Sequence, residues 1–231
     1  MSQLSRRIQK RNEGVDFSTS YALGDALGLL KERASAKFDE SVDFIFVSGI
    51  DAKKSDQGIR GMVSLPAGTG KHVRVAVFAE GDQAEEARNA GADLVGDVDL
   101  IEKVSSGYVD FDLCIATPAM MAQLSKLGRV LGPKGLMPNP KLGTVTMDVK
   151  AAVDRAKKGQ VSVRTDRQGL LHGVMGKVSF SVKDLEKNFR ALYHYIKEAR
   201  PEGFKGDMIK KAYVSSTMGF SLSVDMSKGL S

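Results

Sequence analysis

Tryptophan is absent from these 231 residues, cysteine occurs once, and aromatic side chains amount to 6%. The single cysteine, Cys114, excludes an intrachain disulfide framework and any CxxC metal cluster, and suits a reducing compartment. No run approaches the roughly 18 apolar residues that a membrane span needs. The opening MSQLSRRIQKRNEG is basic, but no apolar segment follows it, so no export signal is expected. These absences lead to the expectation of a cytoplasmic protein without membrane contact. The histidines His72, His172 and His194 are scattered without HExxH spacing, and no carboxylate pair is marked for divided acid and base roles. Neither a metal, a cofactor nor a catalytic centre is expected from them.

What is present is a globular composition, 42% hydrophobic and 27% charged, with 34 Lys plus Arg against 28 Asp plus Glu and a net charge of +6. The excess favours a polyanionic partner and is unevenly placed. Residues 1–66 carry 10 basic and 9 acidic side chains, residues 67–159 carry 12 and 12, and residues 160–231 carry 12 and 7. Glycine-rich punctuation marks both edges of the neutral middle, at Pro66-Ala67-Gly68-Thr69-Gly70 and at Lys157-Lys158-Gly159. The middle therefore reads as a separate body.

Within it, short apolar runs alternate with polar helical stretches: a strand at Val73–Phe78, a helix at Asp82–Ala90 capped by Asp82 and ended by Gly91, a strand near Asp93–Val95, a helix at Asp99–Ser105 and a buried strand at Leu113–Ala116. That alternation is the pattern of a parallel sheet crossed over by helices on both faces. The outer segments predict strands at Ser41–Gly49, Arg60–Leu65, Gln160–Thr165, Leu170–Val174, Lys210–Ser215 and Ser221–Asp225. They also predict helices near Asp25–Ala34 and over Val182–Lys197, the first weakened by Gly24 and Gly28. The fold class expected is mixed α/β and α+β in two domains. Residues 1–66 and 160–231 would form a discontinuous α+β domain, and residues 67–159 an inserted doubly wound, Rossmann-like α/β domain.

The string LPAGTGKH, from Leu65 to His72, fails as a phosphate loop, because a Walker loop needs glycine at Leu65 and Ser or Thr at His72, and a strand follows instead of a helix. A more informative stretch runs from Leu124 to Val145, with Gly128, Gly132, Gly135 and Gly143 among Pro133, Pro138 and Pro140. It reads as a fixed loop whose Lys126, Arg129, Lys134 and Lys141 meet no acid before Asp148. Two clusters in the outer segments set charge beside stacking or close-approach residues, Ala36-Lys37-Phe38-Asp39-Glu40-Ser41 and Ser216-Thr217-Met218-Gly219. RNA recognition uses such mixtures, although taken singly each is an ordinary strand end and Phe38 an ordinary core residue.

Four strings, GIDAKKSDQGIRG from Gly49, LPAGTGKHVRVAVF from Leu65, GRVLGPKGLMPNPKLGTVT from Gly128 and STMG from Ser216, resemble the bacterial large-subunit ribosomal protein one family across essentially the whole chain. The resemblance implies a non-enzymatic binder of large-subunit ribosomal RNA. Such a protein forms the mobile stalk near the exit site, helps release deacylated transfer RNA and represses its own operon by binding its messenger RNA. It also implies a single copy on the ribosome, no cofactor, and RNA contacts at Lys37, Phe38, Ser41, Arg164, Asp166, Arg167, Thr217, Met218 and Gly219. Lys37, Arg164 and Arg167 would meet phosphates, Ser41 and Thr217 riboses or base edges, and Asp166 2′-hydroxyls or exocyclic amines, while Gly219 would admit a close backbone approach. The chain departs from the family pattern at Phe220, where Pro or Ala is usual, and at Gly24 and Gly28, where Glu and Ala are common.

Overall fold

A computed structural model describes residues 6–50, 58–201 and 204–227. The centre of the string from Gly49, residues 51–57, lies outside the described residues. In chain order the first elements are α1 (Arg6–Asn12), β1 (Ser20–Tyr21), α2 (Leu23–Arg33), β2 (Ser41–Ser48) and β3 (Arg60–Ser64). There follow β4 (Val75–Phe78), α3 (Asp82–Asn89), β5 (Leu94–Gly96), α4 (Val98–Ser105) and β6 (Leu113–Ala116). The short helices α5 (Met121–Leu124) and α6 (Gly128–Leu131) come next, then α7 (Val149–Lys157), β7 (Gln160–Arg164), β8 (Leu170–Lys177), α8 (Val182–Glu198), β9 (Ile209–Ser216) and β10 (Ser221–Val224). These elements divide into two compact units, residues 1–70 with 161–231, and residues 71–160.

In the first unit, β2 alternates with period two: Val42, Phe44, Phe46 and Ser48 turn inward, and Ser41, Asp43, Ile45 and Val47 stay half-buried. It pairs antiparallel with β8 and with β9 at the centre of a five-stranded sheet ordered β1-β10-β9-β2-β8. The inward face packs on Leu23, Ala26, Leu27 and Leu30 of α2 and on Leu185, Phe189, Leu192 and Ile196 of α8. Burying each such large side chain contributes about 1.5–3 kcal/mol, which outweighs the roughly 1 kcal/mol cost of each helical glycine, so α2 forms despite Gly24 and Gly28. A Cβ at Gly24 would meet only the Glu186 carboxylate, at 2.8 Å, the movable end of a flexible side chain on α8, so packing does not demand glycine there. β3 and β7 make a separate two-stranded sheet.

In the second unit, β4 lies between β5 and β6 in an all-parallel sheet. Every residue of β4 is buried: Val75 and Val77 join Ala87 of α3 and Val149, Ala152, Val153 and Ala156 of α7, whereas Ala76 and Phe78 face Leu100 and Val104 of α4 with Leu124 and Leu131. Helices on both faces make this the doubly wound sheet that the alternation of runs predicts. Cys114 sits on the α4 side, and burial alone pushes its thiol far up, out of the reactive range.

Three local expectations need correction. Asp82 is the first helical residue of α3 and not its cap, which is Gly81 at φ 56°, a left-handed conformation that glycine adopts without strain. The glycine-rich stretch after Leu124 is helical as far as Leu131, because Leu124, Leu127 and Leu131 bury against Met120, and beyond it is irregular except for a short 3-10 turn at Pro140–Leu142. A Cβ on Gly132 would lie 2.4 Å from the Gly128 carbonyl, so glycine lets the chain turn out there. The third correction is an omission: α1, β1 and α7 are not predicted, and the short apolar repeat of α7 gives no signal. That helix is capped by the Asp148 carboxylate, which accepts from Ala151 N–H at 3.0 Å.

The string at Leu65 is held from below. Asn188, fully buried on α8, accepts from Ala67 N–H at 3.0 Å and donates to the carbonyls of Gly68 at 2.9 Å and Met175 at 2.8 Å. Asn188→Ala would deprive the buried Met175 carbonyl and the half-buried Ala67 N–H and Gly68 carbonyl of this partner, at a cost of about 3 kcal/mol to the first unit. Urea titration checks this, and a loss below about 0.5 kcal/mol would show that the segment is held by other contacts.

Candidate nucleic-acid interface

The two clusters singled out in the sequence meet at one end of the sheet because Val42 pairs with Ser216. The residue that fastens them is Glu40, 2% exposed and drawn inward by the same alternation that buries Val42 and Phe44. One carboxylate oxygen accepts from Ala36 N–H at 3.1 Å; the other accepts from the Ser216 hydroxyl at 2.8 Å and from Met218 N–H at 3.0 Å. Burial pushes this carboxyl up, but the hydrogen bonds from Met218, Ser216, Ala36 and Ser35 outweigh it and leave it below its ordinary value.

A reciprocal pair of hydrogen bonds between Ser41 and Thr217 runs beside it. Ser41 N–H donates to the Thr217 hydroxyl oxygen at 2.9 Å, and Thr217 N–H donates to the Ser41 carbonyl at 3.0 Å. The Ser41 hydroxyl accepts from Lys177 Nζ at 2.9 Å, so both hydroxyls assigned to riboses are engaged within the protein. Gly219 is also explained from inside, since a Cβ there would lie 2.0 Å from the Ser216 hydroxyl. What the clamp leaves outside is Lys37, Phe38 at 56% exposure and Met218 at 46%. Phe38 is thus not a core residue, and an aromatic ring held in water beside a lysine is the arrangement that stacks on an unpaired base.

Arg164, Asp166 and Arg167 are not part of this junction. They lie at or beside the β7–β8 turn, next to Ser48 at the far end of β2: Ser48 N–H donates to the Gly169 carbonyl at 3.1 Å. Seven residue steps along β2 put the two ends roughly 23 Å apart. Asp166 Oδ1 accepts from the N–H groups of Gln168 and Leu170, both at 2.8 Å, so that oxygen builds the turn. Arg164 and Arg167 are exposed.

Between the two ends runs the sheet face that α2 and α8 do not cover, which the sequence reading overlooked. Cross-strand register sets Ser20, Ser223, Tyr213, Ile45 and His172 in one row, and Ser221, Ser215, Asp43 and Val174 in the next. Burial raises the Asp43 carboxyl above its ordinary value, opposed by the charges of Lys177 and His172. Cations stand at both ends of the strip and hydroxyls, rings and one carboxylate in its middle. Phosphates are favoured at the ends and riboses or bases between them.

The second unit offers a crevice of about 720 Å³ outside the carboxyl ends of β4 and β5. Its Glu80, Glu85, Asp97 and Asp99 outnumber Arg88 and Lys103, which disfavours a nucleotide phosphate. Among the described residues no group of His, Cys, Asp and Glu is arranged to hold a metal, and no helix is long and apolar enough to cross a membrane.

A mainly antiparallel sheet with one polar face in the first unit and a doubly wound parallel sheet in the second define a two-unit protein of mixed α/β and α+β class. More particularly, the model of the Ribosomal protein L1p/L10e family matches residues 30–220, and the chain belongs to that family. It is 54% identical over 227 residues, 98% of each chain, to the large ribosomal subunit protein uL1 of Aromatoleum aromaticum (strain DSM 19018 / LMG 30748 / EbN1). It is equally 54% identical over 225 residues, 97% of each chain, to the large ribosomal subunit protein uL1 of Azoarcus sp. (strain BH72). The family is one of ribosomal structural proteins and not of enzymes.

Because the Glu40 carboxyl is lowered in the folded state, its contribution is complete at neutral pH and is lost as the pH falls below about 4.3 toward the native value. Glu40→Gln should therefore destabilise the first unit at pH 7 by about 2 kcal/mol and flatten the acid limb of its stability curve. A variant with the wild-type acid limb would show that Glu40 is not the titrating clamp.

Proposed function

We propose that this chain is a structural component of the large ribosomal subunit, ribosome-bound in the cytoplasm as a single copy. It binds large-subunit ribosomal RNA and forms with it the mobile stalk near the exit site, where it helps release deacylated transfer RNA. The same surface binds its own operon's messenger RNA and represses translation, which requires that the two RNAs present one shape. The discontinuous domain is the RNA-binding body. The observation that carries this reading is the clamped junction that keeps Phe38 and Met218 in water beside Lys37. Exposing a ring and a thioether there costs hydrophobic stabilisation that the interior would have supplied, and stacking on a base recovers it.

Support also comes from charge. The excess of +6 falls wholly in the two outer segments, where Lys37, Arg164 and Arg167 take the phosphate role. Asp166 keeps one carboxylate oxygen beyond the turn's two hydrogen bonds for a 2′-hydroxyl or an exocyclic amine. Ser41 and Thr217 meet riboses or base edges and Gly219 admits a close backbone approach, while the bonds that Ser41 and Thr217 make to each other also shape the loop that presents Met218.

The test is the affinity for a stalk fragment of large-subunit ribosomal RNA against a shuffled RNA of equal length, over several salt concentrations. Selectivity of about a thousandfold at physiological salt is expected, by analogy with specific DNA binders, whereas equal affinities collapsing with salt would reduce the chain to a basic surface. Phe38→Ala should weaken stalk RNA about tenfold, with the fold's stability unchanged within about 0.5 kcal/mol. Lys37→Ala should weaken cognate and shuffled RNA alike and lower the salt slope by about one unit. A loss confined to cognate RNA would mean that Lys37 reads more than charge.

A further inference from the structure

The loop that presents Met218 has an electrostatic fault as an RNA site. Beneath it lies the Glu40 carboxylate, which takes up the Met218 N–H, so that donor is spent and the Met218 carbonyl is an acceptor that repels a phosphate. The chain answers this from outside the sheet. One Nη of Arg11, at the end of α1, donates to the Met218 carbonyl. The same guanidinium lies over the ring of Phe220, 5.8 Å from its centroid, within the range of a cation–π contact. Phe220 is 7% exposed, and its other neighbour is Phe17, edge-on at 5.7 Å between centroids and 81° between planes. The ring is therefore fixed on both sides, and the guanidinium is fixed by the ring and by the carbonyl.

We infer that Arg11 is a further RNA-contacting residue of the Met218 loop, directed at the phosphate backbone, and that Phe220 is the residue that positions it. The inference rests on the RNA-binding reading given above. A guanidinium has five N–H donors in a planar fork; Nε donates to the Asn12 side-chain oxygen at 3.4 Å and one Nη N–H to the Met218 carbonyl, which leaves the charge and three N–H groups for a phosphate. Stacking on Phe220 orders the side chain before RNA arrives, which removes part of the entropy cost of ordering it on binding. The helix that carries Arg11 reads RRIQKRN and has no acid, so nothing on α1 itself opposes a polyanion. Phe220 thus ties the N-terminal helix to the loop.

The test uses the full chain, with amide hydrogen exchange of α1 measured without RNA and stalk-RNA affinity measured across salt. Arg11→Ala should weaken stalk RNA roughly tenfold and lower the salt slope by about one unit. Phe220→Leu keeps an apolar side chain in the buried site, so the sheet folds. It should speed exchange in α1 and weaken RNA severalfold, and Arg11→Ala added to it should cost little more than either change alone. Arg11→Lys should restore the salt slope but not the full affinity, because the planar fork is lost. A wild-type chain that selects stalk RNA alongside an indifferent Arg11→Ala variant overturns this inference alone. A wild-type chain without selectivity overturns the RNA reading, and this inference with it, even if the Phe220→Leu exchange result holds.

Discussion

The first unit depends on a buried carboxylate. Glu40 has no partner cation among its hydrogen-bond donors; its charge is balanced by backbone N–H groups and one hydroxyl. Removing those donors would leave an ionised group in a low-dielectric site, which costs several kcal/mol, so the donors and the loops that carry them are obliged to stay together. That obligation joins residues 36–41 to residues 216–219, which are 176 positions apart at their closest hydrogen bond. Every exposed feature at this end of the sheet follows from it: Phe38 and Met218 stay outside because the backbone that bears them is fixed from inside.

The two faces of the central sheet divide the labour. The inward face takes Phe44, Phe46 and Phe189, whose rings lie 5.1–5.3 Å apart in tilted pairs, and it supplies the stability. The outward face keeps its serines, Tyr213, His172 and Asp43 and is free to meet a polar partner. The second unit is built on other terms. With β4 buried on both faces, it has no open sheet face of that kind, and its surface charge is sorted into an acidic crevice and the exposed lysines and arginine at 126, 129, 134 and 141.

Much of this was legible in sequence. Period-two alternation from Ser41, near-continuous apolar runs at Val75 and Leu113, and helical spacing at Leu185, Phe189, Leu192 and Ile196 each point to the element that forms. Glu40 itself carried a signal: it shares the parity of Val42, Phe44 and Phe46, and a carboxylate of inward parity has to be paired. The elements that went unread are those whose reason lies elsewhere in the chain. α7 is a short helix stabilised by β4 and β6, and β1 is two residues long and exists because Val224 and Ser223 accept it. The resemblance assigns Ser41, Thr217 and Gly219 to RNA; what sequence does not show is that they also bond or pack within the protein, through Ser41–Thr217, Ser41–Lys177 and the close approach of Gly219 to Ser216.

By itself the sequence determined the alternation that sorts side chains to one face or the other, the placement of the positive charge in the outer segments, and the family strings. These are properties of residue type and spacing along the chain. Tertiary structure alone decided that Phe38 stays in water, that Arg164, Asp166 and Arg167 stand at the opposite end of β2 from Met218, and that Arg11 reaches the loop after Ser216. Those outcomes depend on strand register and on hydrogen bonds between segments far apart in sequence, where a local pattern carries no information about the partner.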